Sequence, residues 1–192
     1  MKRIPRGVCR WTNVAITVIV CLIFFAFLSV KTSSAASAKE IDEKVDAVLE
    51  LLRNEMKTGV DYLNAKAVLV IARAIKAGFV VGGEYGEGVL RIHGKTVDYY
   101  CLAAGSLGFQ FGLQERSIVL VFMEDEALKR FRESSGWKVG ADGSVVLANT
   151  GVSGFADTAT ANAFIVGHVF GQGGLMVNVT LEGAKFSKLK KW

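Results

Sequence analysis

Residues 67–123 read AVLVIARAIKAGFVVGGEYGEGVLRIHGKTVDYYCLAAGSLGFQFGLQERSIVLVFM, a series of apolar runs cut by glycine and free of proline. Residues 107–114 (LGFQFGLQ) nearly alternate apolar with polar or small, the pattern of strands with one dry face. The stretch divides into strands Ala67–Ala72, Gly78–Tyr85, Gly88–His93, Thr96–Ala103, Leu107–Gln114 and Ser117–Met123. His93, Gly94 and Lys95 make a tight hairpin turn, because glycine supplies positive φ at no steric cost.

Downstream, Asp125–Ser134 reads as a helix with Leu128 and Phe131 inward, acids in its first turn and Gly136 as its stop. Strands resume at Val145–Ala148, Phe164–Phe170 and Leu175–Leu181. Upstream, Ile41, Val45, Val48, Leu49, Leu52 and Met56 line one face of a helix over 39–57. Successive strands with short turns argue for antiparallel pairing. Residues 39–192 hold 20 of the 21 glycines, and glycine inside strands marks bends and close backbone approach. The expected fold class is α+β. Its centre is a large, curved, mostly antiparallel, glycine-rich and barrel-like sheet, with an N-terminal amphipathic helix and one further helix.

The chain has 192 residues and a formal charge of +5. Lys2, Arg3, Arg6, Arg10 and Lys31 stand in the first 38 residues with no acid among them, so residues 39–192 are neutral. That removes the support for a nucleic-acid partner. Four basic residues, then 17 mostly apolar residues from Val14 to Val30, then Ala36, Ser37 and Ala38, form a secretory signal with cleavage after Ala38. An uncleaved membrane anchor is the alternative. The expected divisions are 1–38 as leader, 39–63 as amphipathic helix and lead-in, and 64–192 as the main domain.

The motifs argue against an enzyme. Gly82–Gly88 lacks the Gly-Lys-Ser/Thr of a phosphate loop and carries two acids, so it reads as a structural turn. Gly151–Phe155 has Phe155 where a nucleophile elbow needs glycine. Ser153 has only His93 or His168 as a base, and those two histidines lack zinc-ligand spacing. Cys101 is the sole cysteine after the leader and sits in an apolar run, as a structural thiol does. No metal, cofactor or catalytic group is expected.

One local asymmetry remains. Lys185, Lys188, Lys190 and Lys191 end the chain without an acid, interleaved with Phe186, Leu189 and Trp192. Lysines that meet anionic head groups beside an interfacial ring are what a membrane surface selects. A solvated tail closing a last strand is the competing reading. The helix at 39–57 offers an acidic polar face, unlike the basic face of lipid-gripping helices, so packing on its own domain is the preferred reading.

The segment Lys76–Leu90 resembles the opening signature of the SYLF domain. The likeness runs on through Ala104–Gly108, Val121–Met123, Ala127, Leu128, Phe131, Gly136–Gly140, Gly174–Met176 and Leu181–Lys185. Ala72 stands where many members have proline. The resemblance implies a non-enzymatic domain that binds acidic lipids, phosphoinositides in eukaryotic members, some of which also bundle actin. It implies an envelope role for exported bacterial members, and a membrane-binding helix corresponding to residues 41–56. The resulting expectation is an exported protein of the periplasm or cell envelope, anchored there if its leader is retained. It binds acidic lipid or a membrane surface through Lys185, Lys188, Lys190, Lys191 and Trp192. The alternative is a structural or protein-interaction module, with the helix at 39–57 docking a partner.

Overall fold

The computed structural model describes residues 37–55, 65–78, 81–107, 112–148, 164–171, 174–176 and 179–191. The leader up to residue 36, Ser153 and Trp192 lie outside the described residues. Helix α1 runs Ala38–Glu55, and strands β1 (Ala67–Gly78), β2 (Val81–Ile92), β3 (Lys95–Leu107) and β4 (Gly112–Phe122) follow. Helix α2 (Asp125–Glu133) precedes β5 (Trp137–Lys138), β6 (Val146–Leu147), β7 (Ile165–Gly171), β8 (Gly174–Leu175) and β9 (Lys185–Leu189). The sheet order is β5-β9-β3-β2-β1-β4-β7-β6, with β8 paired to β7. Among the described residues every strand pairing is antiparallel except β6 with β7. The class is α+β, and the sheet curls into a half-barrel.

Several expected short strands are in fact halves of long ones. Gly78–Tyr85 and Gly88–His93 merge into β2, so Gly82–Gly88 is extended ladder and the structural turn expected there is absent. β1 continues past Ala72 to Gly78, and β4 joins Gly112–Gln114, the end of one expected strand, to most of the expected strand Ser117–Met123. Leu107 ends β3, and residues 108–111 lie outside the described residues. Glycine did not break these strands because it was needed inside them. Both ladders of β1 slip between Ile71 and Ala74, which leaves Ala72 in neither register. Ser117 donates its hydroxyl to the Ala72 carbonyl at 2.7 Å and holds the bulge.

The bulge presses β1 against β2. A Cβ on Gly88 would stand 1.8 Å from the Val70 carbonyl oxygen, and one on Gly86 2.7 Å from the Arg73 carbonyl oxygen. Backbone cannot yield as a flexible side chain can. Gly88→Ala is expected to cost about 1–3 kcal/mol by overpacking. Urea denaturation checks this, and a stability equal to the parent's would contradict the close approach.

The turn from β2 to β3 is tight, as expected, with φ of 48° at His93 and 76° at Gly94. Paired positive φ values match the right-handed twist of the flanking strands. The expected strand Leu175–Leu181 shrinks to β8, while β9 forms where a tail was the competing reading. Helix α2 ends at Glu133 with Ser134 as its cap, so Gly136 is not its stop.

Each face of the sheet carries one helix. On the inner face, Leu128 and Phe131 of α2 pack with Leu69, Leu90, Leu102, Leu120 and Phe186. Phe131 is the hub, with ring centroids of Tyr100, Phe122 and Trp137 at 4.9, 5.0 and 5.4 Å. On the outer face, Ile41, Val45, Val48 and Leu52 of α1 cover Val70, Val89, Val119, Val121, Val166 and Phe170. Burying each such side chain stabilises the fold by roughly 1.5–3 kcal/mol. Ser37 caps α1, its hydroxyl accepting the Glu40 amide at 3.2 Å. Chain cleavage after Ala38 removes that cap, at about 1 kcal/mol.

Candidate functional site

Four of the five expected lipid-binding residues are described, and the strand order disperses them. In β9 alternate residues face opposite sides, so Phe186 enters the core at 1% exposure while Lys185 stays exposed. Phe186 is therefore unavailable to a membrane: its ring sits 6.2 Å from that of Trp137. Lys188 reaches Asp98 of β3 at 3.5 Å, an acid that also takes Arg132 of α2 at 3.3 Å. Lys190 is exposed. Lys191 turns back over the outer face, where its ammonium meets Glu87 at 2.9 Å and keeps only 11% side-chain exposure. Tyr85 donates its hydroxyl to the other oxygen of Glu87 at 2.9 Å. Burial, reinforced by that carboxylate, pushes the Tyr85 phenol up to about 12.

Beside Lys188 lies an open depression of about 370 Å³, lined by Lys129, Arg132, Leu128, Asp125 and Glu133 of α2. Lys129 and Arg132 are three residues apart on a helix whose other face is buried, so both project toward the β9 side. Neither was anticipated. The basic residues at the end of α2 read locally as helix-dipole complements, and only the pairing of β9 with β3 brings Lys188 alongside them. Three bases thus rim one depression, accompanied by Asp98, Asp125 and Glu133.

The apolar face of α1 is occupied by its own sheet, which fits the packing preferred for this helix. Its polar face is tied down at one end. Arg91 contacts Asp46 at 2.6 Å and Asp42 at 3.4 Å, while Thr96 and Tyr99 donate to Asp42 at 2.7 and 2.9 Å. Burial alone would raise the Asp42 pKa; those three donors outweigh it and hold the carboxyl below its usual value. No helix among the described residues is long and apolar enough to cross a membrane.

A second charged feature lies on the inner face, toward the β1–β2 connection. Arg116 grips Glu84 with both Nε and Nη2 at 2.6 Å, and the two side chains are 12% and 5% exposed. They reach each other across β1, where the register residue opposite Arg116 is the small Ala74. Ala74 also faces Gly86, so no bulk stands between the partners. Neither residue was singled out from sequence: Glu84 lay in the presumed turn and Arg116 in a presumed gap between strands.

Among the described residues, Cys101, His168 and His93 lie on separate elements, β3, β7 and the β2–β3 turn. Cys101 is half-buried, and burial pushes its thiol up. His168 is 5% exposed, and burial takes its imidazole down to about 4. His93 occupies the hairpin turn. No group of three or more metal-ligating side chains occurs among the described residues.

Residues 103–192, from the middle of β3 to the chain end, match the family Ysc84, Las17-binding protein actin regulator, which is the SYLF domain. The resemblance seen in the sequence motifs is thereby borne out over that segment. Comparison with curated proteins gives no match.

Proposed function

Proceeding from the SYLF domain of residues 103–192, we propose a non-enzymatic protein that binds membrane surfaces through acidic lipid head groups. The observation that carries this reading is the convergence of three bases, Lys129, Arg132 and Lys188, on the α2–β9 depression, where Asp98, Asp125 and Glu133 are interspersed with them. Exposed Lys190 of the chain end adds to it, whereas Lys185 faces the other side of β9 from Lys188. Each lysine near an anionic surface contributes roughly 1 kcal/mol. The raised thiol of Cys101 and the enclosed neutral His168 make a poor nucleophile and a poor base, which favours binding over catalysis. The basic, then apolar leader favours export to the periplasm or envelope. There the partner is lipid, and cytosolic actin is out of reach.

Full-length protein is mixed with phosphatidylcholine vesicles with or without phosphatidylglycerol. The excess binding to the anionic vesicles is the readout, because an inserted leader binds both kinds. That excess falls with salt, and the pair Lys188→Glu with Lys190→Glu lowers it by about tenfold or more. Equal binding to both vesicle types defeats the proposal and leaves the protein-interaction module as the better reading.

A further inference from the structure

On the inner face, the Glu84–Arg116 pair forms one wall of a narrow cleft of about 70 Å³, which Lys76, Ala104, Thr180 and Glu182 also line. A buried ion pair stabilises a fold little better than apolar packing of the same volume. What it does well is hold a guanidinium in one orientation. Nε and Nη2 of Arg116 are both taken by Glu84, and Nη1 makes no hydrogen bond to the described residues. Lys76 stands directly across the ladder from Glu84, half-buried, and has no ion-pair partner among the described residues. Two cations therefore converge on one cleft, and the single buried acid there is already engaged twice by one of them. The other acid of the lining, Glu182, is exposed and packs its carboxylate against Gly140. Thr180 Oγ1 accepts the Glu182 amide hydrogen at 3.1 Å, which leaves its own hydroxyl hydrogen to donate.

We infer that this cleft binds one small oxyanion, a phosphate or a carboxylate group, between Lys76 and Arg116. The planar guanidinium offers directional hydrogen bonds and Lys76 a movable point charge, the combination that oxyanions select. Glu84 is the positioning residue: it fixes the guanidinium and reduces the charge that the anion meets. The site lies apart from the α2–β9 rim and does not depend on lipid binding there.

The test is calorimetric titration of the full-length protein with inorganic phosphate, and with acetate as the carboxylate arm, at ionic strength held constant with chloride. One saturable site is expected, and the tighter of the two ions names the group. Lys76→Met, a change at a half-buried surface position, weakens the binding at least tenfold. Lys188→Glu with Lys190→Glu leaves it unchanged, so failure here and failure of the lipid reading are separable. Glu84→Gln lowers the thermal midpoint, and phosphate restores more of it than it adds to the parent protein, because the anion takes the place of the lost carboxylate. If Lys76→Met keeps its anionic-vesicle binding, the oxyanion is a soluble one; if it loses it, the group is a lipid phosphate. The inference is overturned by absence of saturable binding, by equal affinity in Lys76→Met, or by loss of phosphate binding in the Lys188/Lys190 variant.

Discussion

Arg116→Met is expected to destabilise the fold by about 3–5 kcal/mol, the largest loss anticipated from a single substitution here. The variant leaves Glu84 with 5% of its side chain in water and no cation gripping it. Lys76, across the ladder, makes no ion pair with Glu84 in the folded protein and cannot reproduce two parallel 2.6 Å bonds. The loss comes from the stranded carboxylate and not from the strength of the pair. The double variant Glu84→Leu with Arg116→Met, which removes both charges, accordingly recovers most of the stability. Urea denaturation of the three proteins decides the matter. A single variant as stable as its parent, or a double variant no better than the single, would contradict this account.

The second large effect is one of pH. His168 has an ordinary pKa of 6.5 in the unfolded chain and about 4 in the fold, with burial as the cause. Its neighbours in β7 on the outer face are Val166 and Phe170, both in the layer under α1, and the Phe170 ring lies 6.2 Å away and nearly parallel. As the pH falls below 6.5 the unfolded chain takes up a proton that the folded chain refuses. Stability is therefore complete above 6.5, declines on the way down to 4, and levels off below that. One pKa unit corresponds to about 1.4 kcal/mol, so the decline attributable to this group is about 3 kcal/mol. His168→Gln abolishes that share, and the difference between the two stability curves isolates it from the carboxylates. Parallel curves for parent and variant between pH 4 and 6.5 would show that His168 is not enclosed.

How much of this was legible in the sequence follows from the range over which each interaction acts. The apolar face of α1 was readable because a helix repeats every 3.6 residues, and Ile41, Val45, Val48 and Leu52 are the residues buried. The turn at His93 and Gly94 was readable from a single glycine between two apolar runs. The glycines of β2 were misread. As local signals they suggest a turn, yet Gly86 and Gly88 are glycine because β1, bulged at Ala72, comes too close for a Cβ. That requirement belongs to the neighbouring strand and leaves no trace in the segment itself.

The charges divide in the same way. The sequence alone determined that the excess of positive charge sits in the first 38 residues, that the rest is neutral, and that its C-terminus is basic. It also determined the α+β class, since hydrophobic periodicity is a property of consecutive residues. Only the tertiary structure decided which of those bases remain available. Lys191 is matched to Glu87, 104 residues away, and Arg116 to Glu84 across an intervening strand. Lys188 joins Arg132 and Lys129 at one depression because β9 lies beside β3. Such pairings depend on strand order and on register to the single residue, and both are set by packing of the whole sheet, which no local pattern encodes.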